Sequence, residues 1–155
     1  MNPKQEILVR IAAALIVAVA LATPALARNE AKELANRKVV LEFYEAGLNR
    51  MDFEAASKHL GKNYVQHNPR AADGVEGFRK FLEARKAQTP NARSEIKRAF
   101  TDGDFVILHV HSIREPGTPG NAIMDIFRLQ NGKIVEHWDV VQPIPEQSAN
   151  GNGMF

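Results

Sequence analysis

The final third of the chain contains three side chains whose types suit acid–base chemistry, Asp125, His137 and Asp139. A carboxylate in an apolar cavity has a raised pKa, so it can take a proton from carbon near neutral pH. The oxyanion that forms then needs a hydrogen-bond donor, which His137 or the neutral Tyr64 could supply. These residues predict a catalytic set for an aldol or enolisation step on a small carbonyl compound.

Two other interpretations of the same residues remain open. Asp125 and His137 could form a buried hydrogen bond that only satisfies two polar groups, and Asp139 could cap a strand end at the rim of a pocket. Two carboxylates beside an imidazole could also bind a metal ion, but no third element offers ligands at alternating spacing. We therefore predict no metal site.

The three residues lie on a predicted β-hairpin. Residues 122–129 and 133–141 are rich in Ile, Val, Phe and Trp, and they flank Asn131-Gly132, the strongest short hairpin signal in the sequence. Side chains of a strand alternate between the two faces of the sheet, so the length of the loop decides which residues share a face.

Two registers are compatible with this turn. A two-residue loop pairs Asp125 with Trp138 and puts the two aspartates on opposite faces. A three-residue loop ending in Gly132 pairs Asp125 with His137 and Ile123 with Asp139. We favour the three-residue loop because one face then collects Asp125, Phe127, Val135, His137, Asp139 and Val141. The other face is mixed apolar and charged, as a partly covered outer face should be, with Met124, Ile126, Arg128, Glu136, Trp138 and Val140.

Helices precede most of the strands, which makes the fold class α+β. The first helix has an apolar stripe that includes Leu34, Leu41 and Tyr44. Three helices are predicted: one over 31–48, one over 52–59 that Asp52 caps and Gly61 ends in a left-handed conformation, and one that Asp73 caps and Thr89-Pro90 stops. A strand over 63–67 lies between the second and third helices. A hairpin follows them, with strands over 93–100 and 105–114 joined at Asp102-Gly103.

The N-terminus predicts export. Lys4 and Arg10 precede an apolar run that is too short for a comfortable membrane span, and small residues follow it, as in a secretory signal peptide. We expect a signal peptide over 1–27 cleaved after Ala27, a domain over 28–145 and a loose tail over 146–155. An uncleaved anchor is the alternative. The predicted location is the periplasm or the extracellular medium, with no stable membrane anchor after cleavage.

Composition narrows the classes further. Removing residues 1–27 lowers the formal charge from +2 to +1, so nothing indicates a nucleic-acid partner. The chain has no cysteine, which excludes thiol catalysis, disulfides, thiolate metal ligands and a lipid anchor on cysteine. The 128 remaining residues suit one domain with one core.

Four segments carry a resemblance to a known family: residues 64–69 (YVQHNP), 73–78 (DGVEGF), 124–128 (MDIFR) and 132–140 (GKIVEHWDV). They resemble the SnoaL-like, polyketide cyclase-like branch of the nuclear transport factor 2-like superfamily. The resemblance implies a cone-shaped α+β barrel of the NTF2-like or cystatin-like type, in which a curved, mostly antiparallel sheet wraps around the N-terminal helices. It also implies an apolar cavity, an acidic residue acting without metal or cofactor, and a homodimer formed by the outer sheet face.

Six residues are candidates for ligand contact. His109 and His111 share one face of their strand, so they either add a polar wall to the cavity or lie half-exposed on the surface. The resemblance makes His67 a residue of the pocket mouth, although a hydrogen bond that stabilises its turn explains it as well. Trp138 could serve packing instead. The full set is Tyr64, His67, His109, His111, Phe127 and Trp138.

Three classes of function fit these features. The first is a cofactor-free cyclase or isomerase that acts on a small hydrophobic or carbonyl-containing compound through Asp125, Asp139 and His137. The second is a periplasmic carrier with the same pocket and no reaction. The third is an interaction module that binds a partner chain around Trp138. A resemblance of fold does not choose among them.

Overall fold

The computed structural model describes residues 28–155, so the predicted signal peptide over 1–27 and its cleavage after Ala27 lie outside the described residues. The elements are α1 (Glu30–Tyr44), which continues as a π-helical turn (Glu45–Asn49), α2 (Phe53–Ser57), β1 (Leu60–Gln66), α3 (Gly74–Gln88), β2 (Arg93–Asp102), β3 (Phe105–Ile113), β4 (Asn121–Gln130) and β5 (Lys133–Pro143). Across residues 28–155, no helix has the length and apolar character needed to cross a membrane.

The strands form one curved, unclosed sheet in the order β1-β5-β4-β3-β2. The pairs β2–β3, β3–β4 and β4–β5 are antiparallel, whereas β1 runs parallel to β5. The helices pack against the inner face, and this arrangement confirms the predicted α+β class. The parallel pair places Gln66 opposite His137, which joins the first strand to the last beside the predicted catalytic residues.

Both predicted registers of the last hairpin are wrong in their pairings. Asn131 and Gly132 form a two-residue turn with φ of 52° and 71°, as the primed hairpin turns require. Two pairs later the register shifts by one residue, because Val135 is the extra residue of a β-bulge. Asp125 therefore lies opposite Asp139, and neither Trp138 nor His137 faces it across the ladder.

The bulge nevertheless puts the three polar residues on one face of the sheet, as the three-residue loop predicted. Asp125, His137 and Asp139 lie on the inner face, with the two aspartates directly paired. Val135 does not join them, since Ile134 takes the inner position with no exposed surface and Val135 is only half-buried.

The start of α1 differs from its predicted apolar stripe. Leu34 is 65% exposed, and the buried positions of this turn are the polar Glu33 and Asn36. They bind the turn between β2 and β3: Gly103 N donates to Glu33 Oε1 at 3.0 Å, and Asn36 Nδ2 donates to Gly103 O at 3.2 Å. That turn comprises Gly103 and Asp104, one residue later than predicted. Burial of these two side chains is tolerated because each is hydrogen-bonded.

Two predicted helix ends are also corrected. Gly61 does not end α2 but lies inside β1, where an added Cβ would stand 2.8 Å from Val135 Cγ1, so the bulge needs a glycine opposite it. Asp73 precedes α3 without capping it, because its Oδ1 accepts the Gln66 N–H at 2.7 Å instead. The cap by Asp52 is confirmed, since its side chain accepts the Ala55 N–H.

Candidate functional site

A cavity lies between the inner face of the sheet and helices α1 and α3. Its inner part has a volume of about 80 Å³ and is walled by aromatic side chains, among them Phe43, Phe78 and Phe127. An outer part of about 580 Å³ shares Arg85 with the inner part and opens to solvent. The polar side chains of β1, β4 and β5 line one wall of this cavity.

Asp125 and His137 form a buried pair on that wall. Their exposed fractions are 5% and 8%, and His137 Nε2 lies 3.0 Å from Asp125 Oδ1. Tyr44 of α1 donates its hydroxyl proton to Asp125 Oδ2 at 3.1 Å. Burial, followed by the charge of Asp125, raises the pKa of Tyr44 far above its ordinary value, so this tyrosine stays neutral and acts only as a donor.

Gln66 fixes the tautomer of His137. Gln66 Oε1 lies 2.8 Å from His137 Nδ1 and also accepts the Asn68 N–H at 2.9 Å, while Gln66 Nε2 donates to Tyr64 Oη at 3.1 Å. These partners set the orientation of the amide, and an amide oxygen can only accept, so Nδ1 carries a proton. A second proton must then lie between His137 Nε2 and Asp125, because two bare acceptors would repel each other.

Tyr64 presents a donor to the cavity. It is 3% exposed, and its oxygen accepts from Gln66, yet its own proton has no acceptor within residues 28–155. Burial, then the charges of Asp125 and Asp139, raise the pKa of Tyr64, so the hydroxyl remains protonated. A free hydroxyl donor on the cavity wall suits an oxygen atom that gains negative charge.

Asp139 is the most accessible carboxylate of the group. It is half-buried, and Asn68 Nδ2 donates to both of its oxygens, at 2.9 Å and 2.6 Å. Asn68 is itself held by the Arg70 N–H, which donates to Asn68 Oδ1 at 2.8 Å. The side chain of Asp139 thus has a fixed orientation and keeps lone pairs free toward the cavity.

Within residues 28–155, the same three residues are the ones that could hold a metal ion. One ligand atom from each of Asp125, His137 and Asp139 falls within 4.8 Å of the others. All of these atoms already take part in hydrogen bonds. Asp125 and His137 bond to Tyr44, to Gln66 and to each other, and Asp139 bonds to Asn68. The donor set therefore fits a proton network better than a cation, which would have to break several of these bonds.

Five of the predicted site residues come together in this cavity. Asp125, His137, Asp139, Tyr64 and Phe127 all line its inner part. The ring of Phe127 lies 4.7 Å from that of His137 and supplies an apolar side to the imidazole. Their predicted roles as catalytic or ligand-binding residues remain predictions, which the position of each side chain supports.

Two of the predicted ligand contacts lie on the outer face of the sheet instead. His67 stacks on Trp138 with a centroid distance of 4.7 Å and an angle of 4°, and its Nε2 lies 2.9 Å from Glu136 Oε1. Neither ring lines the cavity. The expectation for His67 at the pocket mouth is corrected because β1 ends at Gln66 and the following residue turns outward to the Glu136 side.

His109 and His111 also lie on this outer face. They are therefore surface residues, as one of the two alternatives had it, and they form no part of the cavity wall. Every second residue of β3 faces inward, and the fully buried set is Val106, Leu108 and Val110. The two histidine rings contact Phe155, with centroids 5.0 Å and 4.8 Å away. Phe155 belongs to the segment 146–155, whose predicted looseness stays a prediction.

Sequence reasoning missed Tyr44, Gln66, Asn68 and Arg85 as site residues. Gln66 had a usable signal, since it lies two residues from Tyr64 and therefore on the same strand face. Arg85 had another, because it follows Leu82 by three residues on the apolar side of α3. Tyr44 was assigned to the core, where it does lie, but its hydroxyl reaches a carboxylate.

Comparisons with known proteins agree with this architecture. A family model described as a SnoaL-like domain matches residues 40–137. An NTF2-like protein of unknown function from Cytophaga hutchinsonii has 27% identity and a TM-score of 0.59, with 70% of this chain and 90% of that one covered. A putative polyketide cyclase from Acidithiobacillus ferrooxidans has 18% identity and a TM-score of 0.60, with coverage of 69% and 87%.

A cystatin fold protein from Novosphingobium aromaticivorans is a further similar structure. It has 23% identity and a TM-score of 0.59, and the match covers 68% of this chain and 97% of that one. No curated protein sequence matches the chain. Likenesses at these low identities establish the fold and leave the reaction to the residues of the cavity.

Proposed function

The chain belongs to the SnoaL-like domain family, and we propose that it catalyses a cofactor-free aldol cyclisation or isomerisation of a small carbonyl compound. The observation that carries this proposal is the buried Asp125–His137 pair beside an accessible carboxylate and a free hydroxyl donor, all on the wall of an apolar cavity. An enolisation needs a base for a carbon-bound proton and a donor for the oxygen that becomes negative.

Asp139 is the base in this proposal. The oxygens of Asp125 are occupied by Tyr44 and His137, whereas Asp139 faces the cavity and, among the described residues, accepts only from the Asn68 amide. It takes a proton from the carbon next to the substrate carbonyl. The electron pair of that C–H bond forms the carbon–carbon double bond of the enolate, and the π pair of the carbonyl moves to its oxygen. In a cyclisation the enolate carbon then attacks a second carbonyl of the same molecule, and the alkoxide that forms takes the proton from Asp139.

Tyr64 supports the oxyanion, and the Asp125–His137 pair holds a mobile proton. The Tyr64 O–H donates to the developing enolate oxygen while Gln66 orients its ring from the other side. The proton shared by Asp125 and His137 balances charge on the wall, so that negative charge on the substrate is not surrounded by bare carboxylates. No step requires a redox change.

The test is proton exchange into deuterated water, with 2-tetralone as a neutral, enolisable probe. Wild-type protein should accelerate the loss of the α-proton NMR signal, and Asp139→Asn should slow that exchange by about 10²–10⁴-fold. Asp102→Asn, at an exposed aspartate of β2, is the matched control and should leave the rate unchanged. Exchange that survives Asp139→Asn at the wild-type rate would refute Asp139 as the base.

A non-catalytic carrier is the second candidate, and one observation favours it. The buried pair has all of its oxygen and nitrogen atoms engaged in hydrogen bonds, as in a network that only stabilises a pocket. Native mass spectrometry of protein purified from its own host would decide. A retained small molecule, combined with no exchange of any ketone, would support the carrier.

We also propose a periplasmic homodimer. The outer sheet face exposes large apolar side chains, with Val140 71% and Phe100 53% exposed, which suits a second copy of the chain. The location is supported by residues 1–27, and sequencing the N-terminus of protein from a periplasmic fraction tests it. A mature chain that starts at Arg28 is the expected result.

A further inference from the structure

Arg85 is a buried cation without an anionic partner in the described part of the chain. Helix α3 carries it on the side of Phe78 and Leu82, and it is only 9% exposed. Its Nε donates to Leu48 O at 3.3 Å, but Nη2 is buried and has no hydrogen-bond partner among residues 28–155. Within residues 28–155 no carboxylate forms a salt bridge with it.

This arrangement is costly without a further partner. A guanidinium keeps its charge at any ordinary pH, and a buried charge is normally paired or fully hydrogen-bonded. Burial lowers the pKa of Arg85, and the positive charge of nearby Arg114 lowers it further, while Tyr44 acts in the opposite direction. None of these neighbours provides the negative charge that would offset the burial.

Arg85 lines the cavity that would hold a ligand. Arg85 and Arg114 line both the inner and the outer part of the cavity, with Arg114 at the exposed rim. Asp139 also lines both parts, but its oxygens accept from Asn68 and it forms no salt bridge with either arginine in the described chain. The cavity thus has a cationic side on α3 and just after the end of β3, and an acid–imidazole side on β4 and β5.

We propose that Arg85, assisted by Arg114, binds a carboxylate group of the ligand, so that the natural ligand is a cyclic or aromatic keto acid instead of a neutral ketone or ester. The fork of N–H groups on a guanidinium matches the two oxygens of a carboxylate. The identity of the reacting ketone rests on the proposed function, whereas the carboxylate subsite does not. It would serve a carrier equally.

The experiment uses ligands that cannot enolise, so it is independent of catalysis. The affinities of 1-naphthoate and of 1-naphthamide, which differ in charge and little in shape, are measured by calorimetry on the full domain, with benzoate and benzamide as a smaller pair. The acid should bind at least about tenfold more tightly than its amide, which is the scale of a charge-assisted hydrogen bond.

Four variants assign the preference to the side chain. Arg85→Met should abolish the preference for the acid, Arg85→Lys should retain part of it, and Lys80→Met, which removes an exposed charge from the same helix, should retain it fully. If Arg85→Met fails to fold, Arg114→Met at the exposed rim replaces it as the test. This variant should weaken the binding of the acid and leave the binding of the amide unchanged. Thermal unfolding of each variant reports on folding.

Clear results would overturn the proposal. Equal affinity for acid and amide, no binding of either acid, or a preference unchanged in Arg85→Met and Arg114→Met would each do so. A failure of exchange both with 2-tetralone and with a tetralone that carries a carboxylate, together with a charge-dependent affinity for naphthoate, would remove the enzymatic proposal and leave the carboxylate subsite standing.

Discussion

Replacing Gln66 by methionine should loosen the centre of the site and destabilise the fold. Methionine keeps the length of the side chain but removes one acceptor and one donor. Three hydrogen bonds are lost, from His137 Nδ1 and Asn68 N to the amide oxygen and from the amide nitrogen to Tyr64. Gln66 ends β1 and lies opposite His137 of β5, so the change acts where these two strands pair.

The size of the effect follows from those three bonds. Each is worth about 0.5–1.5 kcal/mol net, which gives about 3 kcal/mol if none is replaced. Gln66 is half-buried, so water can replace part of this, and we expect a loss of about 2 kcal/mol in the free energy of unfolding. With an ordinary denaturant slope this lowers the urea midpoint by about 1 M.

Two measurements check this expectation. Urea denaturation followed by Trp138 fluorescence gives the midpoints, with Gln142→Met on the exposed end of β5 as the control. Nitrogen NMR shifts of His137 give its tautomer, which should have Nδ1 protonated in the wild type and should lose that preference in Gln66→Met. A wild-type His137 with a bare Nδ1 at neutral pH, or equal midpoints for the two variants, would refute the reasoning.

Three further changes have defined outcomes. Glu33 has a pKa below its ordinary value of 4.5, chiefly because a backbone N–H donates to it, so its contribution is present above 4.5 and is lost as the pH falls through the lower folded value. The melting temperature of Glu33→Gln should therefore lie below that of the wild type at pH 7 and approach it in acid, which thermal scans against pH measure. Gly77→Ala forces a Cβ against Ala72 O and should cost about 2 kcal/mol or more in urea denaturation. Val140→Lys should convert the proposed dimer to a monomer in light scattering, whereas Leu34→Lys on α1 should leave the dimer intact; a dimer that survives Val140→Lys would contradict the proposed interface.

The turn residues of the sequence were informative because their conformations are restrictive. Asn131-Gly132 predicted a hairpin, since few residues tolerate positive φ at both positions, and the turn is there. The bulge that follows has no such signal. Val135 suits a regular strand as well as a bulge, and the glycine that accommodates it, Gly61, is more than seventy residues earlier in the sequence. Local patterns therefore predicted the shared face but not the pairing.

The faces of β3 were ambiguous for a related reason. Both alternating sets of this strand are largely apolar, with Phe105 and Ile107 in one and Val106 and Leu108 in the other. Alternation groups such residues without saying which group faces the core. The helix packing decides it, and His109 falls on the outside.

Arg85 was not predicted as a site residue because the apolar stripe of a helix is identified by its apolar residues, and a charged residue on the same side is not counted in it. The apolar side of α3 runs through Phe78 and Leu82, and the next position on that side is a cation. A charge inside such a stripe costs stability, and a residue that costs stability where an apolar one would fit is a sign of binding.

The β-bulge at Val135 makes the chemistry of the cavity depend on chain length as well as on residue type. Val135 and Glu136 lie together opposite Arg128, so every later residue takes the face that it would have if Val135 were absent. Deleting Val135 would therefore straighten the strand and leave His137 and Asp139 on the inner face. A regular ladder that kept Val135 as a paired residue would instead turn both side chains to the outside and bring Trp138 opposite Asp125. Within this fold, the way in which one extra residue is accommodated can thus create or erase an acid–base site without changing any of the residues that form it.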